Sequence, residues 1–221
     1  MCATVKLFII GVKKATMTER SLILMGGAPG SGTTRLGHSL EQQLRFDAVS
    51  IDHLSVGDSV RRIGAGTIHS AMTAEIINHL LTGHINDPID DVVMQRIVDE
   101  SLESSSGTEV ILLDGYPRYP AQVDSVKELA MRHERTIRGM LLTNVPSETA
   151  LTRMIKRGQK NRERSMTLNL AIDRLDRYYA TSPELLETIE AKGIPIEVIS
   201  TAGQKEVTTE IGLLALRAFL S

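Results

Sequence analysis

Gly27-Ala28-Pro29-Gly30-Ser31-Gly32-Thr33-Thr34 is the stretch that decides the fold of this 221-residue chain. It follows the apolar run Leu22-Ile23-Leu24-Met25 and precedes a predicted helix from Thr33 to about Leu44. Strand, glycine-rich loop and helix is the setting a phosphate-binding P-loop requires. Glycines let the backbone curl until several N–H groups point at one anion, and the helix N-terminus adds a favourable dipole. The pattern G-x-x-x-x-G-K-[ST] is met except at the lysine, where this chain has Thr33. A turn that merely joins strand to helix is the competing reading. Four glycines between Gly26 and Gly32, followed by Thr34, favour the phosphate loop.

Outward from the loop, four more short runs read as buried parallel strands: Ala48–Ile51, Val110–Leu113, Gly139–Leu142 and Ile196–Ile199. With helical segments between them, they predict an α/β fold, a five-stranded parallel sheet with helices on both faces. Residues 1–20 are expected to be an N-terminal extension, with residues 21–221 forming the domain. Two stretches depart from the strand–helix alternation. Residues 54–91 read as a helical excursion, with apolar residues at helical spacing over Ser70–Leu81 and a stop at Gly83, and are expected to form one lid. Residues 153–178, rich in Arg and Lys, are expected to form a second, short one. Ser104-Ser105-Ser106-Gly107 reads as a loop before the third strand.

Composition narrows the function. A hydrophobic content of 42% suffices for a full core, and 3% aromatics makes that core aliphatic. A net charge of −2 gives no general attraction to nucleic acid or an anionic membrane. Basic residues between Arg153 and Arg164 suggest a nucleic-acid patch, but few aromatics interleave with them and Glu163, Asp173 and Asp176 intervene. One cysteine, Cys2, excludes an internal disulfide and suits a reducing cytosol. The apolar run after Lys6 is too short for a signal peptide and is closed by Lys13-Lys14. A cytoplasmic, monomeric protein whose partners are small nucleotides is the expectation.

The chemistry-bearing residues fall just after predicted strands, where ligands of such sheets bind. Phosphoryl transfer needs a phosphate cradle, Mg²⁺ and positive charge around the moving group. Thr34 is the hydroxyl that would face Mg²⁺, and Asp114 is placed to act on it through water. Arginines supply the forked, permanent charge that phosphate recognition favours. The candidates are Arg61, Arg118, Arg157, Arg162, Arg164 and Arg174. The six histidines show no metal spacing.

In this order, these motifs resemble the adenylate kinase family of nucleoside monophosphate kinases, from about Ser21 to the C-terminus. Gly27–Gly32 is similar to the family P-loop. Leu54-Ser55-Val56-Gly57-Asp58-Ser59-Val60-Arg61 resembles Ile-Ser-Thr-Gly-Asp-Leu-Leu-Arg, which holds the acceptor monophosphate. Gly83-His84-Ile85-Asn86 resembles the end of the acceptor lid. Leu113-Asp114-Gly115-Tyr116-Pro117-Arg118 with Gln122 resembles Leu-Asp-Gly-Phe-Pro-Arg-x-x-x-Gln. Arg153-Met154-Ile155-Lys156-Arg157-Gly158 leads to Arg174-Leu175 and Tyr178, as in members with a short second lid.

The resemblance implies transfer of the ATP γ-phosphate to a nucleoside monophosphate, with Mg²⁺. Ser55, Val56, Arg61, Ile85, Asn86, Gly115, Arg118 and Gln122 would hold the acceptor, with Gln122 on a base edge. Arg157, Arg174 and either Arg162 or Arg164 would close on the transferring group. The chain departs from the family at Thr33 for lysine, at Val56 for a base-contacting threonine, at Asn86 for an aliphatic residue, and at Ser165-Met166 for an acidic pair. Two functions are therefore expected to compete: a divergent small-molecule kinase, and a nucleotide-binding module without useful turnover.

Overall fold

A computed structural model describes residues 19–47, 49–71, 73–74, 76, 90–160 and 167–221. The apolar run before the P-loop is the middle of a longer strand, β1 (Arg20–Gly27), and the loop feeds α1 (Thr33–Phe46). There follow β2 (Ile51–Ser55), α2 (Val56–Gly64), α3 (Asp91–Ser104), β3 (Val110–Asp114) and α4 (Gln122–Arg132). The last part of the chain forms β4 (Arg135–Asn144), α5 (Ser147–Lys160), α6 (Leu168–Ala191), β5 (Ile196–Ser200) and α7 (Lys205–Leu220). The five strands are all parallel, in the order β2-β3-β1-β4-β5.

Side chains alternate across the sheet, as strand geometry requires. Leu22 and Leu24 of β1, with Ile111 and Leu113 of β3, enter a core shared with α2, α3, α4 and the end of α6. Ile23 and Met25, with Val110 and Leu112, face the opposite core with Leu36, Leu40 and Leu44 of α1 and Leu216 of α7. A strand buried on both faces reads as a continuous apolar run, which is why β1 and β3 are plain in the sequence.

The second strand is a correction. It runs from Ile51 to Ser55, not over Ala48–Ile51. As an edge strand it carries polar residues whose partners come from elsewhere in the fold. Asp52 accepts a bond from the Thr108 hydroxyl at 2.6 Å, and His53 inserts its ring against α1. The strand also carries Leu54 and Ser55 within the sheet, so the first excursion leaves it at Val56. Of the helix expected over Ser70–Leu81, most lies outside the described residues, as does Gly83; Ile76 is fully buried in the core. The serine-rich patch ends α3 and turns. Arg135, only 5% exposed, donates to the Ser105 and Thr108 carbonyls at 2.7 and 3.0 Å, tying that turn to β4. Burial, reinforced by Arg20 and opposed by Asp52, pushes its pKa down to about 10. Among the described residues, no helix is long and apolar enough to cross a membrane.

One glycine reports how closely α1 meets β2. A Cβ on Gly37 would lie 2.3 Å from His53 Nε2 and 2.4 Å from its Cδ2. Alanine is the better helix former by about 1 kcal/mol, but the buried ring has no room to retreat. Gly37→Ala is expected to lower stability by about 1–3 kcal/mol in urea unfolding. In a His53→Ala background the same substitution becomes neutral or stabilising.

Candidate phosphate-binding site

Strand register builds the rim of the site. Met25 pairs with Asp114, Ser55 with Asp114, Gly27 with Thr143, and Asn144 with Ser200. The carboxyl ends of all five strands therefore open on one edge, where ligands of open α/β sheets bind.

At the centre, Gly27-Ala28-Pro29-Gly30-Ser31-Gly32 curls between β1 and α1. The Ser31 N–H donates to the Ala28 carbonyl at 2.9 Å. Gly30 has φ +86°, and a Cβ there would sit 2.4 Å from the Ala150 carbonyl oxygen of α5. Only glycine permits that backbone approach. Gly32 precedes α1 with φ +96° and supplies no side-chain cap, and the first turn carries no acidic residue. The N–H groups of that turn lack intrahelical partners and remain available to an anion, with the helix dipole behind them.

Thr33 fills the lysine position with a different device. Its hydroxyl lies 2.7 Å from Thr143 Oγ1 and 3.2 Å from Ser31 Oγ. Thr143 Oγ1 in turn lies 2.7 Å from Ser31 Oγ and donates to the Gly26 carbonyl at 3.1 Å. Three buried hydroxyls thus brace the floor of the loop against β4. None carries charge.

Thr34, the next residue, donates its hydroxyl to Asp114 Oδ2 at 2.6 Å. Asp114 is 7% exposed, and the buried His53 ring places Nε2 3.4 Å from the same oxygen, with no hydrogen-bond partner of its own. A hydroxyl and a carboxylate side by side below a phosphate cradle form the hard oxygen set that suits Mg²⁺, which keeps several waters and takes few protein ligands. The residues present therefore fit Mg²⁺, with Thr34 and Asp114 as its side of the site.

The loop after β3 carries the next candidates. Gly115, at φ +89°, lets Arg118 fold back, and Arg118 Nε donates to the Gly115 carbonyl at 2.7 Å. Arg118 is exposed to solvent. Crowding by protein lowers its pKa, while Asp114 and Tyr119 pull the other way. Gln122 is buried at the start of α4; Oε1 accepts the Arg118 N–H and Nε2 donates to Asp91, both at 2.6 Å. One end of its amide holds the arginine loop and the other ties it to Asp91 at the start of α3, so a base contact would require release of one of these bonds.

The remaining candidates are more spread. Ser55 ends β2, and buried Val56 opens α2. Arg61, on α2, pairs with Asp58 one turn before it. Arg157 is exposed on α5, and Arg174 is half-buried on α6. Ile85, Asn86, Arg162 and Arg164 lie outside the described residues, as do residues 1–18.

Three residues that join the site, Thr143, His53 and Thr201, are not legible in the motifs, and Arg153 stands in one without a role assigned to it. Thr143 and His53 are described above. Arg153 donates to the Thr201 carbonyl at 2.8 Å and to its hydroxyl at 3.2 Å, and reaches the Ser31 carbonyl at 3.4 Å. Thr201 donates its hydroxyl to the Ser31 carbonyl. The one available signal was position: Thr143 and Thr201 each stand at a strand end, level with the P-loop.

The profile of the AAA domain family matches residues 26–170. The chain is 27% identical to an adenylate kinase of Phocaeicola vulgatus over 172 residues, 77% of this chain and 85% of the relative. It is 27% identical to one of Synechococcus sp. over 197 residues, 88% of this chain and 97% of the relative. Against an adenylate kinase of Porphyromonas gingivalis, identity is 25% over 190 residues, 86% of this chain and 92% of the relative.

The hydroxyl cluster makes a direct stability prediction. Thr143→Val keeps the shape and removes the group shared by Ser31, Thr33 and the Gly26 carbonyl. It is expected to lower unfolding stability by about 1–3 kcal/mol in urea titration, while Thr143→Ser loses distinctly less.

Proposed function

The chain belongs to the AAA domain family and is adenylate kinase-like, and on that premise we propose that it transfers the γ-phosphoryl group of ATP to a nucleoside monophosphate or related small acceptor. The carrying observation is the Thr34–Asp114 pair at the start of α1, whose first turn carries neither a side-chain cap nor an acidic residue. In the reaction, an acceptor phosphate oxygen bonds to the γ-phosphorus as the bond to the β–γ bridging oxygen breaks, leaving ADP. When bound, Mg²⁺ neutralises phosphate charge. The P-loop N–H groups hold the donor phosphates. Arg118, held by Gly115 and Gln122, offers its guanidinium to the acceptor phosphate, and Arg61 of α2 is the second candidate for it.

Two lids, about 54–91 and 153–178, complete the reading. The first carries Ser55 and Val56 at its base, with Ile85 and Asn86 at its far end. The second carries Arg157 and Arg174, with Arg162 or Arg164, to surround the moving group and exclude water.

Losing one charged donor from such a site removes about 3–4 kcal/mol of transition-state stabilisation, a factor of about 10²–10³. Catalysis here consists of positioning and charge, which several arginines share. The second reading, nucleotide binding without useful turnover, is favoured by the Thr33 hydroxyl, which is engaged with Thr143 and Ser31 below the loop.

Release of ADP from Mg-ATP, measured with and without each of a panel of nucleoside monophosphates, tests the proposal. Turnover that depends on one acceptor, and falls by about 10²–10³ in Arg118→Ala, is expected. No acceptor-dependent turnover anywhere in the panel would overturn it.

Thr33→Lys separates the two readings. A competent wild type that gains about tenfold or less fits a site in which arginines have taken over the charge. A gain of about 10²–10³ from a baseline near zero supports the binding module.

A further inference from the structure

Beside the outer lip of the P-loop, across β1 from Asp114, lies an open pocket lined by Gly32, Arg35, Arg153, Thr201, Lys205 and Thr208, among others. Three of these are cationic, and among the described residues no carboxylate lines it. Arg153 is committed to the Ser31 and Thr201 oxygens. Arg35 and Lys205 are exposed and form no ion pair among the described residues. Thr208 is 8% exposed, lines the pocket, and its hydroxyl has no hydrogen-bond partner among the described residues. Lys205 and Thr208 also stand in the first turn of α7, whose N-cap Gln204 supplies no side-chain cap. Two cations without an ion pair among the described residues, the Thr208 hydroxyl and a helix end without a side-chain cap converge on one hollow. The cations and the helix end favour an anion, against Glu206, the acidic residue of that first turn.

Position identifies which anion. With phosphates held over the loop and the acceptor on the β2–β3 side, the nucleoside of the donor must run out past Gly32, over this pocket. A base can take stacking or ring-nitrogen contacts from one arginine, but it carries no negative charge for two cations to neutralise. A phosphate ester on the sugar gains from both.

We infer that the pocket takes a phosphate carried on the ribose, so that the preferred nucleotide is phosphorylated on its sugar as well as at its 5′ end. The inference rests on the nucleotide-binding reading of the P-loop. Positive charge missing from the loop at Thr33 thus stands at its outer edge, where it selects the ligand.

The test is calorimetric binding by the full chain, with Mg²⁺, of ADP against ADP bearing a 2′- or 3′-phosphate. One sugar-phosphorylated form is expected to bind about tenfold or more tightly than ADP. The gain should vanish in the Arg35→Gln/Lys205→Gln double variant while its ADP affinity and melting temperature stay close to wild type. Equal affinity for ADP and both esters overturns the inference and leaves the P-loop reading intact. So does a gain that survives the double variant. Failure to bind any of these nucleotides overturns both. Inorganic phosphate titrated into ADP-saturated protein distinguishes a free ion. If it binds there, and is lost in the double variant, while the esters show no gain, the pocket serves a free ion and the ribose-phosphate inference is overturned.

Discussion

Strand β1 is hydrogen-bonded along its length to β3 on one side and β4 on the other, and buried on both faces. The site hangs from this one arrangement. Because parallel pairing carries β1, β3 and β4 out of the sheet at nearly the same level, Asp114 and Thr143 arrive on either flank of the P-loop although β3 and β4 are not paired with each other. The loop is then anchored from both sides. Thr34 bonds Asp114, and Thr33 and Ser31 bond Thr143. Shifting either strand by one residue would turn these side chains to the opposite face of the sheet.

That anchoring gives Thr33 a structural role where a lysine would carry charge. A lysine is a solvated point charge on a flexible stem, whereas the threonine hydroxyl is short, neutral and enclosed. The loop exchanges a mobile cation for a rigid floor. Positive charge stands elsewhere instead: Arg118 follows β3, Arg157 and Arg174 lie on α5 and α6, and Arg35, Arg153 and Lys205 line the pocket beside Gly32.

The architecture was readable wherever local chemistry and global fold agree. β1 and β3 are uninterrupted apolar runs because both faces are covered. The glycines of the loop announce themselves because Gly30 packs against a carbonyl that no side chain would tolerate. β2 was misplaced because its strand face carries Asp52 and His53, which look like loop residues until Thr108 and the gap at Gly37 are in view. Thr143 and Thr201 were equally silent, since a threonine ending a strand has many ordinary explanations.

The linear order of residues determined the parallel sheet, the glycine-rich loop between β1 and α1, and the absence of that loop's lysine. Each is a short-range pattern of backbone freedom, apolar period or residue type. Only the tertiary structure decided that Gln122 turns both ends of its amide inward, that Thr33 is closed into a three-hydroxyl floor, and that Arg35 and Lys205 share one pocket though 170 positions apart. Such facts depend on side chains brought together by sheet register and helix packing, and the energy of a contact is invisible until both partners have been placed.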